Sequence, residues 1–250
     1  MTMPTDHTND LWDASHRPWP LPKLPWGMQQ SWNHALFIHY PIQLNTLRKL
    51  VPDTLALDSY DGWGWIGLVA FDMDNVKFRG LPAAPSFPEL NVRTYVTIND
   101  KPGVYFFSLD ATNLPMVIFA RKLCHLPYAH ASMERQQSES EHTHHFSSAR
   151  KSDPSILLDC SYRAISEPYL AEAGSFDEWL TERYCFYTTS RNGKTVRCDI
   201  LHRPWPLQHA EAEIRDNTML SGQGIHVESV PPILHYSKGV DVRVWPLLRA

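Results

Sequence analysis

Proline is the residue that most limits how this chain can fold. Twenty prolines are spread over 250 residues. Each one fixes φ and removes a backbone donor, so long helices are disfavoured and many loops are expected. The chain also contains nine Trp, ten Tyr and ten Phe, residues that favour strands and the walls of pockets. The composition therefore predicts a mainly-β protein with few, short helices.

Turn signals between strand-like segments indicate how the strands pair. Asp61-Gly62 and Asn192-Gly193 are typical of tight hairpin turns, and tight turns require antiparallel pairing. Closing such a sheet removes its exposed edges, so we expect an antiparallel β barrel or cone. No linker divides the chain. We predict a flexible N-terminal tail over residues 1–15 and a single domain over residues 16–250.

Two strands can be placed from local patterns. Residues 28–40 alternate as a strand does, which predicts four side chains on one face: Trp32, His34, Leu36 and Ile38. The run WGWIGLVAFDM is apolar on both faces and is therefore expected at the centre of the sheet. The segment AEAEIR fits either a helix or a strand, and we favour a strand.

Three short helices are predicted from their ends. QLNTLRKL lies between two prolines and reads as one helix. Asn113 is a helix N-cap, with Pro115 in the first turn and MVIFARKLC as the helix body. Ser175 and Glu178 form a capping box that begins the third helix, FDEWLTERY.

Composition limits the partners that the protein is expected to bind and the cellular compartment in which it is expected. A net charge of -4 gives no electrostatic reason to expect binding to nucleic acid or to an anionic membrane. The four cysteines form no CxxC pair, which disfavours a zinc cluster or a disulfide scaffold. No signal peptide or membrane helix is recognisable, so we expect a cytoplasmic protein. GxGxxG and Walker motifs are absent from the sequence, and we expect no cofactor. The composition is also compatible with a homo-oligomer.

The segment that carries most chemistry is the predicted strand at Glu89. Glu89, Asn91, Arg93 and Tyr95 fall at every second position and therefore share one face of a strand. The opposite face carries apolar and small residues typical of a core: Leu90, Val92, Thr94 and Val96. A strand with one polar, ionisable face in an aromatic-rich chain predicts a lined cavity.

One hexapeptide, HRPWPL, occurs twice, at residues 16–21 and 202–207. One interpretation is a duplicated ligand clamp. The other is a pair of extended segments, stiffened by proline on both sides of Trp19 and Trp205, whose indoles close the ends of the barrel. We favour the structural interpretation.

Many blocks of the sequence, in order, resemble the YqjF-like family of uncharacterised proteins, which is grouped with the acetoacetate decarboxylase-like superfamily. The blocks are the N-terminal RPWP, LVPDTLALDSYDGWGWIGLVAF, ELNVRTYV, GVYFFSLDA, ARKLCHLPY, LTERYCFYT, the second HRPWPL and LHYSKGVDVRVW. They span residues 16–247. The resemblance implies a mostly antiparallel β cone or barrel that encloses a pocket.

The resemblance also shows where the decarboxylase pattern breaks. Acetoacetate decarboxylases carry a strand glutamate, a Gly-Arg-Glu segment and a Pro-Lys-Lys segment whose first lysine forms a Schiff base. Glu89 resembles the strand glutamate, and residues 120–122 resemble the second segment. Tyr128 and Ala129 stand at the two lysine positions. A phenol cannot form an iminium, so we expect no Schiff-base decarboxylation.

Candidate roles follow for the polar residues of this region. Glu89 is predicted to move a proton, Arg93 to grip a carboxylate, and Tyr128 to stabilise charge on a substrate oxygen. We predict that five further residues bind substrate: Asn91, Tyr95, Tyr105, Arg121 and His125. The alternative is structural, with Glu89 and Arg93 forming a buried ion pair that needs no ligand.

Two other clusters contain residue types that are common in metal and catalytic sites. His142, His144 and His145 could hold a metal, but the surrounding SESEHTHHFSS favours a solvated turn, and we expect no metal. Ser108, Asp110 and His125 suggest a catalytic triad without any supporting motif.

The sequence therefore predicts a small-molecule pocket protein. One hypothesis is a lyase- or isomerase-type enzyme that acts on a small organic acid or carbonyl compound. The alternative is a non-catalytic protein that binds or senses an aromatic or hydrophobic metabolite.

Overall fold

The computed structural model describes residues 12–138 and 143–250. Within them the chain forms thirteen strands and three short α-helices. The strands are β1 (Met28–Ile42), β2 (Ala56–Leu57), β3 (Gly64–Phe78), β4 (Phe87–Ile98), β5 (Lys101–Ala111), β6 (Tyr128–Ser138), β7 (Thr143–Arg150), β8 (Leu157–Ala164), β9 (Cys185–Thr189), β10 (Thr195–Leu201), β11 (Leu207–Asn217), β12 (Ile233–Val244) and β13 (Leu248–Arg249). The helices are α1 (Leu44–Arg48), α2 (Leu114–Phe119) and α3 (Phe176–Thr181). The predicted mainly-β class with few helices is confirmed. Most of the predicted tail, residues 1–11, lies outside the described residues.

Followed from one strand to the next, the pairings lead from β1 back to β1. β1 pairs with β3, β3 with β4, β4 with β5, β5 with β9, β9 with β10, and β10 with β12, which pairs again with β1. A second path leads from β5 through β6, β7, β8 and β11 to β12. The predicted antiparallel pairing holds for the other strand pairs, but β5 pairs in parallel with both β6 and β9. A parallel pair needs a crossover connection, and α2 provides it between β5 and β6.

The three neighbouring strands β1, β3 and β4 are buried on both faces. Leu36, Leu68 and Leu90 pack into one core, and Phe37 and Val69 pack into another on the opposite side. β3 lies between β1 and β4, so the prediction of a central strand is confirmed. Both predicted faces of β4 are buried, and Leu90, Val92 and Val96 lie in the first core, as expected.

The predicted faces of β1 require a correction. Leu36 and Ile38 lie in the first core, but Trp32 packs against the second core together with Ala35 and Phe37. The cause is a β-bulge between Asn33 and Leu36, where His34 has φ 52°. A bulge inserts an extra residue and exchanges the faces beyond it. As a result, the Trp32 indole lies on the same side of the sheet as Phe37.

The predicted helix starts are confirmed by their caps. Asn113 Oδ1 accepts a hydrogen bond from the Met116 amide at 3.2 Å, and Ser175 Oγ accepts one from the Glu178 amide at 3.2 Å. α2 does not continue as a regular α-helix, however. Its last predicted turn, Ala120–Cys124, is π-helical and ends at His125 in the left-handed region, with φ 55°. AEAEIR lies in β11, as favoured.

The two HRPWPL segments lie in different environments. In the first, the Arg17 guanidinium and the Trp19 indole both donate to the buried carboxylate of Asp199, at 3.1 and 2.8 Å. Arg197 donates to the other oxygen of Asp199 at 2.9 Å. In the second, Trp205 packs against the second core. The first copy therefore anchors the N-terminal segment to β10.

Asp199→Ala is expected to lower the free energy of unfolding by about 3–5 kcal/mol, because it leaves the Arg17 guanidinium buried without a carboxylate. Denaturant titration measures this loss. Asp216→Ala, at an exposed position of β11, is the matched control and is expected to stay within about 0.5 kcal/mol of wild type. If both variants were equally stable, the anchoring role of Asp199 would be wrong.

Candidate functional site

A cavity of about 380 Å³ lies on the second-core side of β4. Aromatic and aliphatic side chains from β1, β3, β5, α2, β9 and the second HRPWPL segment form most of its wall. Few ionisable side chains reach it. Glu89, Asn91 and Arg93, the polar face predicted for β4, all line it, and so does Tyr128. A largely apolar cavity with a few converging polar groups is typical of small-molecule sites.

Glu89 is a carboxyl group held in an apolar wall. It is 2% exposed, and its neighbours across the sheet are Phe71 on β3 and Ala111 on β5. The Tyr128 hydroxyl donates a hydrogen bond to Glu89 Oε2 at 2.7 Å. Burial raises the pKa of Glu89 to about 8, the Tyr128 hydrogen bond opposes this rise, and the nearby Asp110 carboxyl adds to it. Glu89 is therefore mostly protonated at neutral pH.

Tyr128 reaches Glu89 because of the way α2 ends. The π-helical turn and the left-handed His125 reverse the chain, and Tyr128 then begins β6, in parallel register with Leu109 of β5. This places the phenol beside β4, although 39 residues separate Tyr128 from Glu89. Burial and the adjacent Glu89 raise the pKa of Tyr128 well above its usual value, so the phenol acts as a hydrogen-bond donor.

Arg93 lies on the same face of β4 as Glu89, four positions further along the strand. Its guanidinium is 5.7 Å from the Phe37 ring and 5.9 Å from the Tyr95 ring, and it donates weakly to the Leu180 carbonyl at 3.5 Å. The nearby Arg183 already forms an ion pair with Asp58. Among the described residues, Arg93 has no ion-pair partner, and its Nε lacks a hydrogen bond.

Glu89 and Arg93 do not contact each other. They are four positions apart on β4, which separates their Cα atoms by roughly 13 Å, and the Arg93 guanidinium packs against the Phe37 and Tyr95 rings. Arg93 is not among the groups that shift the pKa of Glu89. The buried ion pair considered from the sequence is therefore not what satisfies Glu89.

Four of the predicted site residues are absent from the cavity wall. Tyr95 is fully buried, and its hydroxyl donates to the Leu180 carbonyl at 2.8 Å. Tyr105 packs against the first core. Arg121 is exposed on the π-helical turn, and His125 bonds Thr188 through its carbonyl. The structure brings together Glu89, Asn91, Arg93 and Tyr128 and leaves the other four outside.

The wall also contains residues that were not among the predicted site residues, including Trp32, Arg183, His202 and Trp205. The repeat of HRPWPL was a sequence signal for His202 and Trp205, because one interpretation of the repeat was a duplicated ligand clamp. Trp32 was hidden by the bulge at His34. Arg183 follows α3 with no pattern that marks it.

None of the described residues of the other two candidate clusters lines the cavity. His142 lies outside the described residues. His144 is buried, contrary to the exposed turn expected, with its ring between those of Tyr162 and Tyr236. The described part of the chain contains no group of three or more His, Cys, Asp and Glu that could hold a metal ion. Asp110 accepts two hydrogen bonds from Arg150, at 2.8 and 2.9 Å, so the triad is not formed.

Comparison with known proteins gives the family. A model of the DUF2071 family, described as an uncharacterised conserved protein, matches residues 29–241. The chain belongs to this family. It is 48% identical to the uncharacterised protein YqjF of Bacillus subtilis (strain 168) over 225 residues, which cover 89% of this chain and 92% of YqjF. The resemblance recognised in the sequence is confirmed.

Solved structures of similar fold include acetoacetate decarboxylases and other enzymes. The acetoacetate decarboxylase of Legionella pneumophila is 12% identical, with a TM-score of 0.61, over 100% of this chain and 97% of that one. An acetoacetate decarboxylase-like enzyme from Sphingomonas wittichii RW1 has 12% identity and a TM-score of 0.60, covering 91% and 94%. The enduracididine biosynthesis enzyme MppR, solved with pyruvate, has 8% identity and a TM-score of 0.64, covering 91% of both chains. At these identities the likeness shows the fold alone.

No helix in the described residues has the length and apolar character needed to cross a membrane.

The pKa of Glu89 gives a pH dependence of stability. Because the folded protein keeps a proton that the unfolded chain releases above about pH 4.5, the stability falls as pH rises from about 4.5 to about 8. Glu89→Gln cannot ionise and lacks this loss. We therefore expect the stability of Glu89→Gln relative to wild type to increase over this window, by on the order of 3–5 kcal/mol.

Denaturant titrations at several pH values measure this difference. Glu134→Gln, which changes an exposed glutamate on β6, is the control and should show no such trend. A stability difference between Glu89→Gln and wild type that is independent of pH would contradict a raised pKa.

Proposed function

We propose that this protein is a lyase- or isomerase-type enzyme that acts on a small organic acid or carbonyl compound without a Schiff-base lysine. The observation that carries the proposal is the Glu89–Tyr128 hydrogen bond inside a largely apolar cavity. A carboxyl group whose pKa lies near the working pH suits a general acid–base, because it can both take up and return a proton.

The chemistry follows from the two groups. The ionised form of Glu89 removes a proton from the carbon next to a substrate carbonyl, and the electron pair moves onto the carbonyl oxygen. Once Glu89 is protonated, it accepts the Tyr128 hydrogen bond less strongly than the carboxylate did. The phenol can then donate to the enolate oxygen instead. The proton then returns to the same carbon or to another one. Arg93 holds a carboxylate of the substrate.

The absence of a lysine is the reason for proposing direct enolisation. Among the described residues, no lysine lines the cavity, and Tyr128 and Ala129 stand where the resemblance places lysines. Two of the structural neighbours are acetoacetate decarboxylase and an enzyme solved with pyruvate. Both names concern small oxo acids, and this supports a related substrate class.

The apolar wall supports a second candidate function. Trp32 and Trp205 stack at 6.1 Å between ring centroids beside the cavity, a surface that suits an aromatic or hydrophobic metabolite. A protein that only binds or senses such a molecule needs no proton transfer. The two functions differ in whether a bound ligand changes.

Exchange of substrate protons with solvent deuterium tests the enzyme. We expect wild type to exchange protons next to the carbonyl of an oxo acid, followed by NMR in D₂O. Below about pH 8 the exchange should quicken as pH rises, and above that it should level off, because the ionised form of Glu89 is the base. Glu89→Gln should lower the rate by about 100-fold or more.

Two further variants sharpen this test. Tyr128→Phe removes the hydrogen bond that lowers the pKa of Glu89, so its pH profile should shift to higher pH. Glu134→Gln is the matched control and should behave as wild type. A ligand that binds tightly but exchanges no faster than in buffer would favour the binding protein instead.

A further inference from the structure

The acidic and basic side chains of the cavity form two separate groups. The acid end consists of Glu89 and Tyr128, joined by their hydrogen bond. The basic end consists of Arg93, Arg183 and His202, all of which line the cavity. The Arg93 and Arg183 guanidinium groups lie 5.9 and 4.8 Å from the centre of the same ring, that of Tyr95. Burial lowers the pKa of Arg183 and lowers that of His202 to about 4, and the nearby Arg93 adds to both decreases.

The basic end has more cationic groups than anionic partners. Asp58 pairs with Arg183 and also accepts a hydrogen bond from the Trp179 indole at 3.3 Å. No carboxylate of the described residues pairs with Arg93. Two buried polar atoms here, Arg93 Nε and Arg183 Nη2, have no hydrogen-bond partner. A desolvated guanidinium is costly without an anion, so an anionic group of a ligand completes this end.

The two ends are too far apart for a three-carbon oxo acid. The Cα atoms of Glu89 and Arg93 are roughly 13 Å apart along β4, and the Arg93 guanidinium packs against the Phe37 and Tyr95 rings rather than against Glu89. In pyruvate the carboxylate and the carbonyl are adjacent. If Arg93 held that carboxylate, the carbonyl would lie far from the Glu89–Tyr128 pair.

The wall between the ends is mainly apolar. Asn91 lies midway on the same face of β4, and its cross-strand neighbours are Val69 on β3 and Leu109 on β5. All three line the cavity. Asn91 Oδ1 is buried and has no hydrogen-bond partner among the described residues. A ligand passing between the ends therefore meets aliphatic surface and one amide oxygen that can accept a hydrogen bond.

We infer that the substrate is an elongated amphipathic oxo acid, with its carboxylate and its reacting carbonyl separated by an apolar spacer on the order of 10 Å long. The carboxylate binds at the basic end, the spacer lies along Val69 and Leu109, and the carbonyl meets Tyr128 and Glu89. This inference rests on the proposed function for the role of the acid end. A cavity of about 380 Å³ is within the range that takes larger organic ligands, and pyruvate would leave most of it empty.

A series of methyl-ketone acids, CH₃CO(CH₂)ₙCOO⁻, tests the spacer length on the intact protein. Every member carries the same exchangeable methyl group, and only the distance to the carboxylate changes. We expect calorimetric affinity and methyl deuterium exchange to rise with n, reach a maximum where the spacer spans on the order of 10 Å, and then fall. Pyruvate, with no methylene group, should be among the weakest.

Variants separate the two ends. Arg93→Gln should weaken binding of the best acid by about 30–100-fold, the effect of removing a buried charge partner. It should leave unchanged the binding of a methyl ketone of equal length that lacks the carboxylate. Arg163→Gln, an exposed arginine of β8 that pairs with Glu211, is the matched control and should leave both unchanged. The length series in wild type needs no variant and stays informative if Arg93→Gln folds poorly.

The outcomes distinguish the two claims. If pyruvate binds and exchanges best, or if affinity is independent of n, the elongated substrate is wrong and the enzymatic proposal stands. If affinity depends on n as expected but no member exchanges, the spacer inference stands for a binding protein and the enzymatic proposal fails. If no member binds, the inference is overturned.

Discussion

The hydrogen bond between Tyr128 and Glu89 is the interaction on which the site depends. It joins a strand of the sheet to the first residue of β6, and it lies where the wall is otherwise apolar. Without this bond Glu89 would be still more costly to ionise, because among the described residues the Tyr128 hydroxyl is what lowers the pKa of Glu89. The balance between burial and this single donor places the pKa of Glu89 near neutrality.

The fold explains why this pair and Arg93 occupy opposite ends. β4 runs along the cavity and presents Glu89, Asn91 and Arg93 in sequence on one face. The crossover through α2 brings the Tyr128 hydroxyl to Glu89, and the chain that leaves α3 brings Arg183 to the Tyr95 ring beside Arg93. The cavity is therefore polar at these two places and mainly apolar between them, with Asn91 as the exception. Such an arrangement selects a ligand by the spacing of its polar groups as well as by its chemistry.

Local patterns predicted the parts of the structure that local physics controls. Alternation in ELNVRTYV correctly gave a polar face on β4, and the caps at Asn113 and Ser175 correctly gave the starts of α2 and α3. The partner of Glu89 was not predictable in this way. Periodicity suggested Arg93, a residue on the same strand, but a strand separates positions i and i+4 too widely for their side chains to meet.

The remaining features depend on long-range geometry. The bulge at His34 moves Trp32 to the cavity side, and no residue near it signals a left-handed conformation. The parallel pairing of β5 with β6 and β9 depends on the path of α2 and on contacts far along the chain. Tyr95 has the expected direction on β4, yet α3 covers it through the Leu180 carbonyl. These positions are set by packing between elements, which alternation alone does not encode.

Infrared spectroscopy of the Glu89 carboxyl tests the central claim most directly. The account predicts a carbonyl stretching band of a protonated carboxylic acid at pH values well below 8, which disappears as the pH rises through about 8. The band should be absent from Glu89→Gln and should shift in Tyr128→Phe, which lacks the donor to Oε2. If Glu89 were instead ionised at pH 6, with no acid band distinguishing wild type from Glu89→Gln, the account of a buried, Tyr128-bonded acid would be contradicted.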